Sequence, residues 1–506
     1  MTTESLARST VVGATWLVLW RFITRALGFC STLLLARLLV PADFGLVAMA
    51  STFAAAVEAL SELGLQDALV RHPAMDRKLV NTAFTLQVAR ATLTASIVAL
   101  GAPVAAWWFG EPRLEALLFV LAAATFVMGF ENTWVVEFRR EMRFDRQFRL
   151  LAIPRLLQLA TTIPLALATG SYWSLLLGTA VSKVSFTALT YAMHPGRPSF
   201  GLSRWRELTG FSLWIWATSM TKLVWDRGDP ILLGPVIGPA RLGGYLLALE
   251  LAILPISELI APAADALFAG FASAQRRGAQ SVDLALTVAA ALLQVVMPLM
   301  IAVSCASGFL VAGLLGPRWA DTAPLVAIFA WHGLFAPFNY VCSAMLVANG
   351  RVSRNFSVTV VAVVVKLTAL LITLAFTSDL AVIALVSIGC TAAEFLAFMA
   401  LLGPVGDLRL RPLLAGVART LLAGLVTIFV LDWFGLAWRA VAMTSVPALL
   451  YCALIGCIAL AVFWPTLLLL WLLCGRPAGP EALLVKLAGN HLKPLMMRKP
   501  ALKDAA

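Results

Sequence analysis

The sequence predicts an all-α polytopic membrane protein, and three observations predict it. Of 506 residues, 61% are hydrophobic and 13% are charged, against about 25% charged in a soluble domain. The apolar residues gather into successive runs of about 20 or more, the length at which a helix crosses a hydrocarbon core of about 30 Å. These runs do not alternate at a period of two, which argues against barrel strands. Unpaired backbone groups are too costly in lipid for any other spanning structure, so helices remain.

About fourteen spans are expected, near residues 11–36, 44–66, 79–108, 114–136, 150–169, 172–193, 208–226, 242–270, 281–313, 322–348, 356–377, 380–402, 412–433 and 440–472. The first follows ten mostly polar residues and lacks a small-residue cleavage site, so it reads as a retained span rather than a signal peptide. The last carries Pro447 and Pro465, which leave open a kinked or interfacial segment. The spans divide into an N-lobe over 1–207, a C-lobe over 208–404, two further helices over 405–475 and a basic tail over 476–506.

Orientation follows the distribution of Lys and Arg, because short loops rich in them stay in the cytoplasm. On these spans one side collects 24 of the 38 basic residues, including Arg139, Arg140, Arg143, Arg146 and Arg149 in one loop, whereas the other has six. An even span count then puts both termini in the cytoplasm. The net charge of +12 is accounted for by this asymmetry and by anionic headgroups, so it carries no signal for nucleic acid.

Enzymatic and metal chemistry find little support. The seven cysteines form no Cys-x-x-Cys pair and lie in or beside apolar runs, which reads as packing thiols. No histidine has another histidine or a cysteine three or four positions away, and no Gly-Lys pair exists to form a phosphate-binding loop. No cofactor is expected. The tryptophans fall mostly toward span ends, as headgroup anchors do.

The chain also repeats itself. Leu39-Val-Pro-Ala-Asp-Phe-Gly45 returns as Ile237-Gly-Pro-Ala-Arg-Leu-Gly243, 198 residues later, and Asp67-Ala-Leu69 returns as Asp265-Ala-Leu267 at the same spacing. Phe109-Gly-Glu-Pro-Arg113 resembles Leu315-Gly-Pro-Arg318. Transporters are commonly built from such duplicated bundles.

The stretch Leu33-Leu-Leu-Ala-Arg-Leu-Leu-Val-Pro-Ala-Asp-Phe-Gly45, followed by Glu62-Leu-Gly-Leu-Gln-Asp-Ala-Leu-Val-Arg71, resembles the amino-terminal signature of the polysaccharide-transporter branch of the multidrug/oligosaccharidyl-lipid/polysaccharide exporter superfamily. The loop Phe138-Arg-Arg-Glu-Met-Arg-Phe-Asp-Arg-Gln-Phe148 and the turn Asn349-Gly-Arg351 resemble that branch too. The branch includes the Wzx-type O-antigen flippases. The resemblance implies two six-helix lobes in a V around a cavity that opens to either side in turn. It also implies a bacterial inner-membrane location, a polyprenyl-diphosphate-linked glycan as cargo, and polysaccharide polymerase or export machinery as partners beside the membrane lipids.

A diphosphate crossing a low-dielectric region requires cationic partners. Arg21, Arg25, Arg90, Lys183, Lys222 and Lys366 lie well inside expected spans and are the candidate cargo contacts. Arg21 and Arg25 share a helix face and have no acid within a turn. Lys222 has Asp226 four residues on, and Lys183 and Lys366 have the alternative of pairing with acids on neighbouring helices, Glu394 among them. Arg155 and Arg419, near span ends, read as snorkelling cations. Glu58, Glu62, Glu131, Glu250 and Asp226 are candidates for H+ or Na+ coupling, which some members of the branch use. Their alternative is charge balance against the buried cations.

Two other function classes remain. A multidrug antiporter of the same superfamily is expected to end after twelve spans. A membrane glycosyltransferase or O-antigen ligase requires a larger outer loop than the roughly fifteen residues available here.

Overall fold

In the computed structural model, residues 27–61, 65–72, 75–141, 143–205, 207, 213–276, 282–402, 410–439, 443–477 and 479–486 are described. Among them eleven helices are long and apolar enough to cross a bilayer, or twelve if a bent pair counts as one span. The chain forms two compact units that meet between Gly244 and Tyr245.

The first unit contains α1 (Leu27–Leu38), α2 (Pro41–Leu60), α3 (Leu65–Arg71), α4 (Arg77–Phe109), α5 (Arg113–Gly129), α6 (Val136–Arg140), α7 (Phe144–Thr169) and α8 (Trp173–Met193). α4 starts where the Asp76 carboxylate accepts from the Leu79 amide at 2.8 Å, an N-cap that satisfies one of the free donors of the first turn. The expected fourth span is not straight. It breaks at residues 130–132 and turns by 69° into a 3-10 turn and α6. Asn132 stabilises the break: its amide N–H donates to Thr190 Oγ1 (2.9 Å), its Nδ2 to the Gly196 carbonyl (2.7 Å), and its Oδ1 accepts from the Trp134 amide (3.1 Å).

The expected seventh and eighth spans form one run, α9 (Leu213–Arg276), interrupted at Gly238, whose φ of 75° and ψ of 170° leave the helical region. Only glycine adopts that backbone readily. The division between the compact units falls inside this run, and its first part packs on α2 and α4. Gly45 and Gly243 touch Pro239 and Pro41, Gly234 lies against Phe109, and Trp108 Nε1 donates to the Ile231 carbonyl at 3.5 Å.

The second unit continues with α10 (Val282–Cys305), α11 (Ser307–Leu314), α12 (Ala323–Phe329), α13 (Ala336–Ala348), α14 (Val352–Phe376), α15 (Leu380–Leu402), α16 (Leu410–Trp433) and α17 (Ser445–Leu473). The expected tenth span is assembled from α12, a 3-10 turn at Ala330–Leu334 and α13. α17 is one continuous helix despite Pro465. The two helices beyond the twelfth expected span are built into the core: Ile455, Ala459 and Phe463 of α17 and Ala423 and Leu431 of α16 are buried with Met297, Met300 and Ile301 of α10.

The packing-thiol expectation is corrected in part. Cys305, Cys342 and Cys390 are buried, but Cys30, Cys457 and Cys474 are exposed.

Candidate functional site

Polar side chains within the apolar helices collect into a few clusters, and each brings together residues far apart in sequence. In the first unit, Lys183 of α8 donates from Nζ to Glu58 Oε1 of α2 at 2.8 Å and to Thr125 Oγ1 of α5 at 2.9 Å. The Thr125 hydroxyl in turn donates to Glu58 Oε1 at 2.9 Å. The Glu58 and Lys183 side chains are 38% and 22% exposed, so the pair is reachable from outside the packed core. One candidate cargo cation and one candidate coupling acid are therefore a single ion pair. Pairing removes net charge from a site where each ion alone costs about 2.5–3.5 kcal/mol at mid-membrane.

A second cluster surrounds the break after α5. Glu131, 3% exposed, sits where the helical backbone is interrupted, and Gln66 Nε2 of α3 donates to its Oε1. Gln87 and Arg90 of α4 act on the same carboxylate. Gln87 also donates to the Gly129 carbonyl at 3.3 Å, so one side chain serves both the acid and the broken helix end. Arg90 thus shares an environment with Glu131, which is not apparent from its own helix.

The second unit has its own cluster. Lys366 of α14, 8% exposed, acts electrostatically on Glu394 of α15 and on His332 in the 3-10 turn before α13. Asn339 Nδ2 of α13 donates to Glu394 Oε2 at 2.8 Å and to the Thr391 carbonyl at 3.2 Å. Lys222, Asp226 and Glu250 are exposed on α9. Arg21, Arg25 and Glu62 lie outside the described residues.

Arg155 donates to Gln158 Oε1 at 2.9 Å on its own helix. Arg419 corrects the snorkelling expectation. It is buried, and its Nε and Nη2 donate to Glu481 Oε1 and Oε2 at 2.8 and 3.0 Å, a bidentate pair with side chains 8% and 5% exposed. Its partner lies on the short helix 480–486, in the stretch that the sequence reads only as a basic tail.

Where α3, α4 and α6 begin or end, polar groups fasten the segment 194–207 to the first unit. Asn81 Nδ2 donates to Ser199 Oγ (2.6 Å) and its Oδ1 accepts from the Ser199 amide (3.0 Å). The Gly201 amide donates to Thr85 Oγ1 at 2.8 Å, and Arg204 bridges Asp76 and Glu207 at 2.9 and 2.7 Å. The Leu79 amide, with Arg204 beside it, holds the Asp76 carboxyl below the usual carboxylate range, and Arg204 does the same for Glu207. His194 and His72, isolated in sequence, each meet an acid: Glu137 at 2.7 Å and Glu207 at 3.2 Å.

Sequence reading passed over the neutral members of these clusters. Thr125, Gln87 and Asn339 stand among apolar neighbours, whereas Gln66 and Asn132 stand beside Asp67 and Glu131; an uncharged polar side chain within a span was the available signal.

This arrangement of broken spans, buried cations and a duplicated motif has known relatives. A family model described as polysaccharide biosynthesis protein matches residues 34–324, more than half of the chain. The chain belongs to this family. Within it, the chain is similar to the lipopolysaccharide biosynthesis protein WzxC of Escherichia coli (strain K12), 21% identical over 364 residues, which cover 70% of this chain and 72% of that protein. It is similar also to the succinoglycan biosynthesis transport protein ExoT of Rhizobium meliloti (strain 1021), 25% identical over 344 residues, 67% of this chain and 69% of that one. Among solved structures, the lipid II flippase MurJ in an inward closed conformation aligns with a TM-score of 0.69 at 12% identity, over 89% of this chain and 99% of that one. An inward-facing multidrug resistance MATE family transporter of the MOP superfamily aligns at 0.56 and 16% identity, over 74% and 92%. These structural likenesses establish a shared transporter fold for this family member, a multi-pass membrane protein.

Proposed function

We propose that this protein is a flippase that carries a polyprenyl-diphosphate-linked saccharide across the bacterial inner membrane by alternating access. The observation that carries the reading is family membership over residues 34–324 in a chain whose fold is that of a lipid flippase. The named relatives serve lipopolysaccharide and succinoglycan biosynthesis. It is a transporter and not an enzyme.

The cations within the expected spans give the reading its chemistry. A diphosphate headgroup is drawn to Arg90, Lys222 and Lys366 and to Arg21 and Arg25, while the polyprenyl chain stays in lipid. The Glu58–Lys183 pair and Glu131 supply the coupling. A proton or Na+ reaching Glu58 weakens its hold on Lys183 and frees that ammonium for the cargo. Coupling of this kind requires that ion and cargo interact differently with the two access states. Both termini face the cytoplasm, where glycosyltransferases would deliver the cargo, and polymerase or export machinery receives it on the other side.

The reading is tested in proteoliposomes containing a polyprenyl-diphosphate-linked oligosaccharide that carries a fluorophore on its sugar. Quenching from outside measures the fraction flipped, and a cationic dye serves as the competing cargo. Flipping of the saccharide, slowed at least ten-fold by Arg21→Gln/Arg25→Gln at equal reconstitution, is the expected result. Dye transport without saccharide flipping would make the chain a multidrug antiporter.

A further inference from the structure

In the second unit, α11, α12 and the turn between them line a cavity of about 580 Å³. Its walls are mostly small and apolar, with Gly308 and Ala312 from α11 and Ala323 and Ala327 from α12, and Trp438 and Arg439 stand at one side. The volume lies inside the range of about 300–1,000 Å³ typical of small-ligand sites.

The loop beside the cavity is built to hold one cation there. Trp438 has a left-handed backbone (φ 50°), a conformation costing a non-glycine residue about 1–2 kcal/mol. It is secured there by its amide donating to the Cys305 carbonyl at 2.9 Å and its indole Nε1 to Ser304 Oγ at 3.2 Å. Ser304 Oγ donates onward to the carbonyl of Ala327 in the cavity wall at 2.9 Å. Loop and wall are therefore one hydrogen-bonded piece. Arg439 lies across Gly435, where a Cβ would come within 2.1 Å of Nη2. Among the described residues no carboxylate pairs with this exposed guanidinium.

We propose that this cavity holds one acyl chain of an anionic glycerophospholipid, with the lipid phosphate on Arg439. The chemistry fits in three respects. A guanidinium fork matches a phosphate bidentately, an indole beside it suits the headgroup level, and the mostly apolar small-residue walls, with Ser307 as their one hydroxyl, accept a chain. The bilayer supplies such lipids in large excess over any cargo, so mass action favours them as occupant. The site is separate from the cationic clusters assigned to cargo above, and its test involves no transport.

Purified full-length protein is delipidated, incubated with equal amounts of phosphatidylglycerol and phosphatidylcholine, and read by native mass spectrometry. One phosphatidylglycerol should remain bound at collision energies that strip phosphatidylcholine. Arg439→Gln should lower phosphatidylglycerol retention at least five-fold and bring the ratio of the two lipids to about one, whereas Arg439→Lys should keep most of the preference. Ala312→Phe, which fills the cavity, should reduce retention of both lipids; if this variant does not fold, the lipid ratio of Arg439→Gln decides. Equal retention of the two lipids by the unaltered protein overturns the proposal, as does an unchanged ratio in Arg439→Gln. A polyprenyl diphosphate copurifying at this site in place of the phospholipid overturns it too.

Discussion

Gly45 and Gly243 occupy equivalent places in the duplicated motif, and each packs against the proline of the other copy. A Cβ on Gly45 would fall 1.8 Å from the Pro239 carbonyl oxygen, and one on Gly243 would fall 2.0 Å from that of Pro41. The contact is reciprocal, as a pseudo-two-fold relation between the copies demands, and both sides are backbone, which cannot rotate away.

Gly45→Ala and Gly243→Ala should therefore each destabilise the purified protein by the ~1–3 kcal/mol characteristic of overpacking, seen as a lower melting temperature. Because the two sites share one interface, the double variant should lose clearly less than the sum of the singles. Strict additivity would show that the motifs do not touch.

The Glu58–Lys183 pair makes a charge-balance prediction. Lys183→Met leaves Glu58 with only Thr125, and Glu58→Gln leaves an ammonium among apolar helices. Loss of one partner of a fully buried pair costs about 3–5 kcal/mol, and the 38% exposure of Glu58 discounts that to about 1–2 kcal/mol. The double variant should regain most of the loss in thermal unfolding. A double variant less stable than either single one contradicts the pairing.

Arg419 and Glu481 are less exposed, so the effect should be larger. Glu481→Gln should destabilise by about 3 kcal/mol and free the 480–486 helix to proteolysis, while Arg419→Met/Glu481→Met should recover stability. Unchanged protease resistance in Glu481→Gln would show that the pair does not hold the helix.

The clasp at 194–207 should depend on pH in a defined direction. Asp76 and Glu207 have folded values lowered from unfolded ones of about 3.9 and 4.3, so the unfolded segment binds more protons. The contribution is full above about pH 5 and is lost as pH falls through the lowered folded values. Hydrogen exchange in 194–207, corrected for intrinsic rates, should rise between pH 7 and pH 3, and Arg204→Gln should raise it already at pH 7. Equal protection at both pH values rules out the clasp.

Composition and run length by themselves determined that the chain spans a membrane as helices, because a hydrocarbon solvent permits nothing else to so apolar a chain. The offset of 198 residues between two Pro-Ala-x-x-Gly segments likewise announced a duplicated transporter. What the sequence could not decide was partnership. Lys183 and Glu58 are 125 residues apart, and helical periodicity carries no information about which neighbouring helix will present an acid. Arg419 read as a cation reaching for the interface because its partner lies beyond the last span, in a stretch too polar to be counted with the bundle. The break after Phe130 was equally hidden. Its cause is Asn132 bonding to Thr190 and Gly196, contacts that exist only once α8 and the segment after it have folded back. Local pattern fixes which segments are helices in lipid; which polar groups neutralise one another is set by long-range packing, and only the tertiary structure contains it.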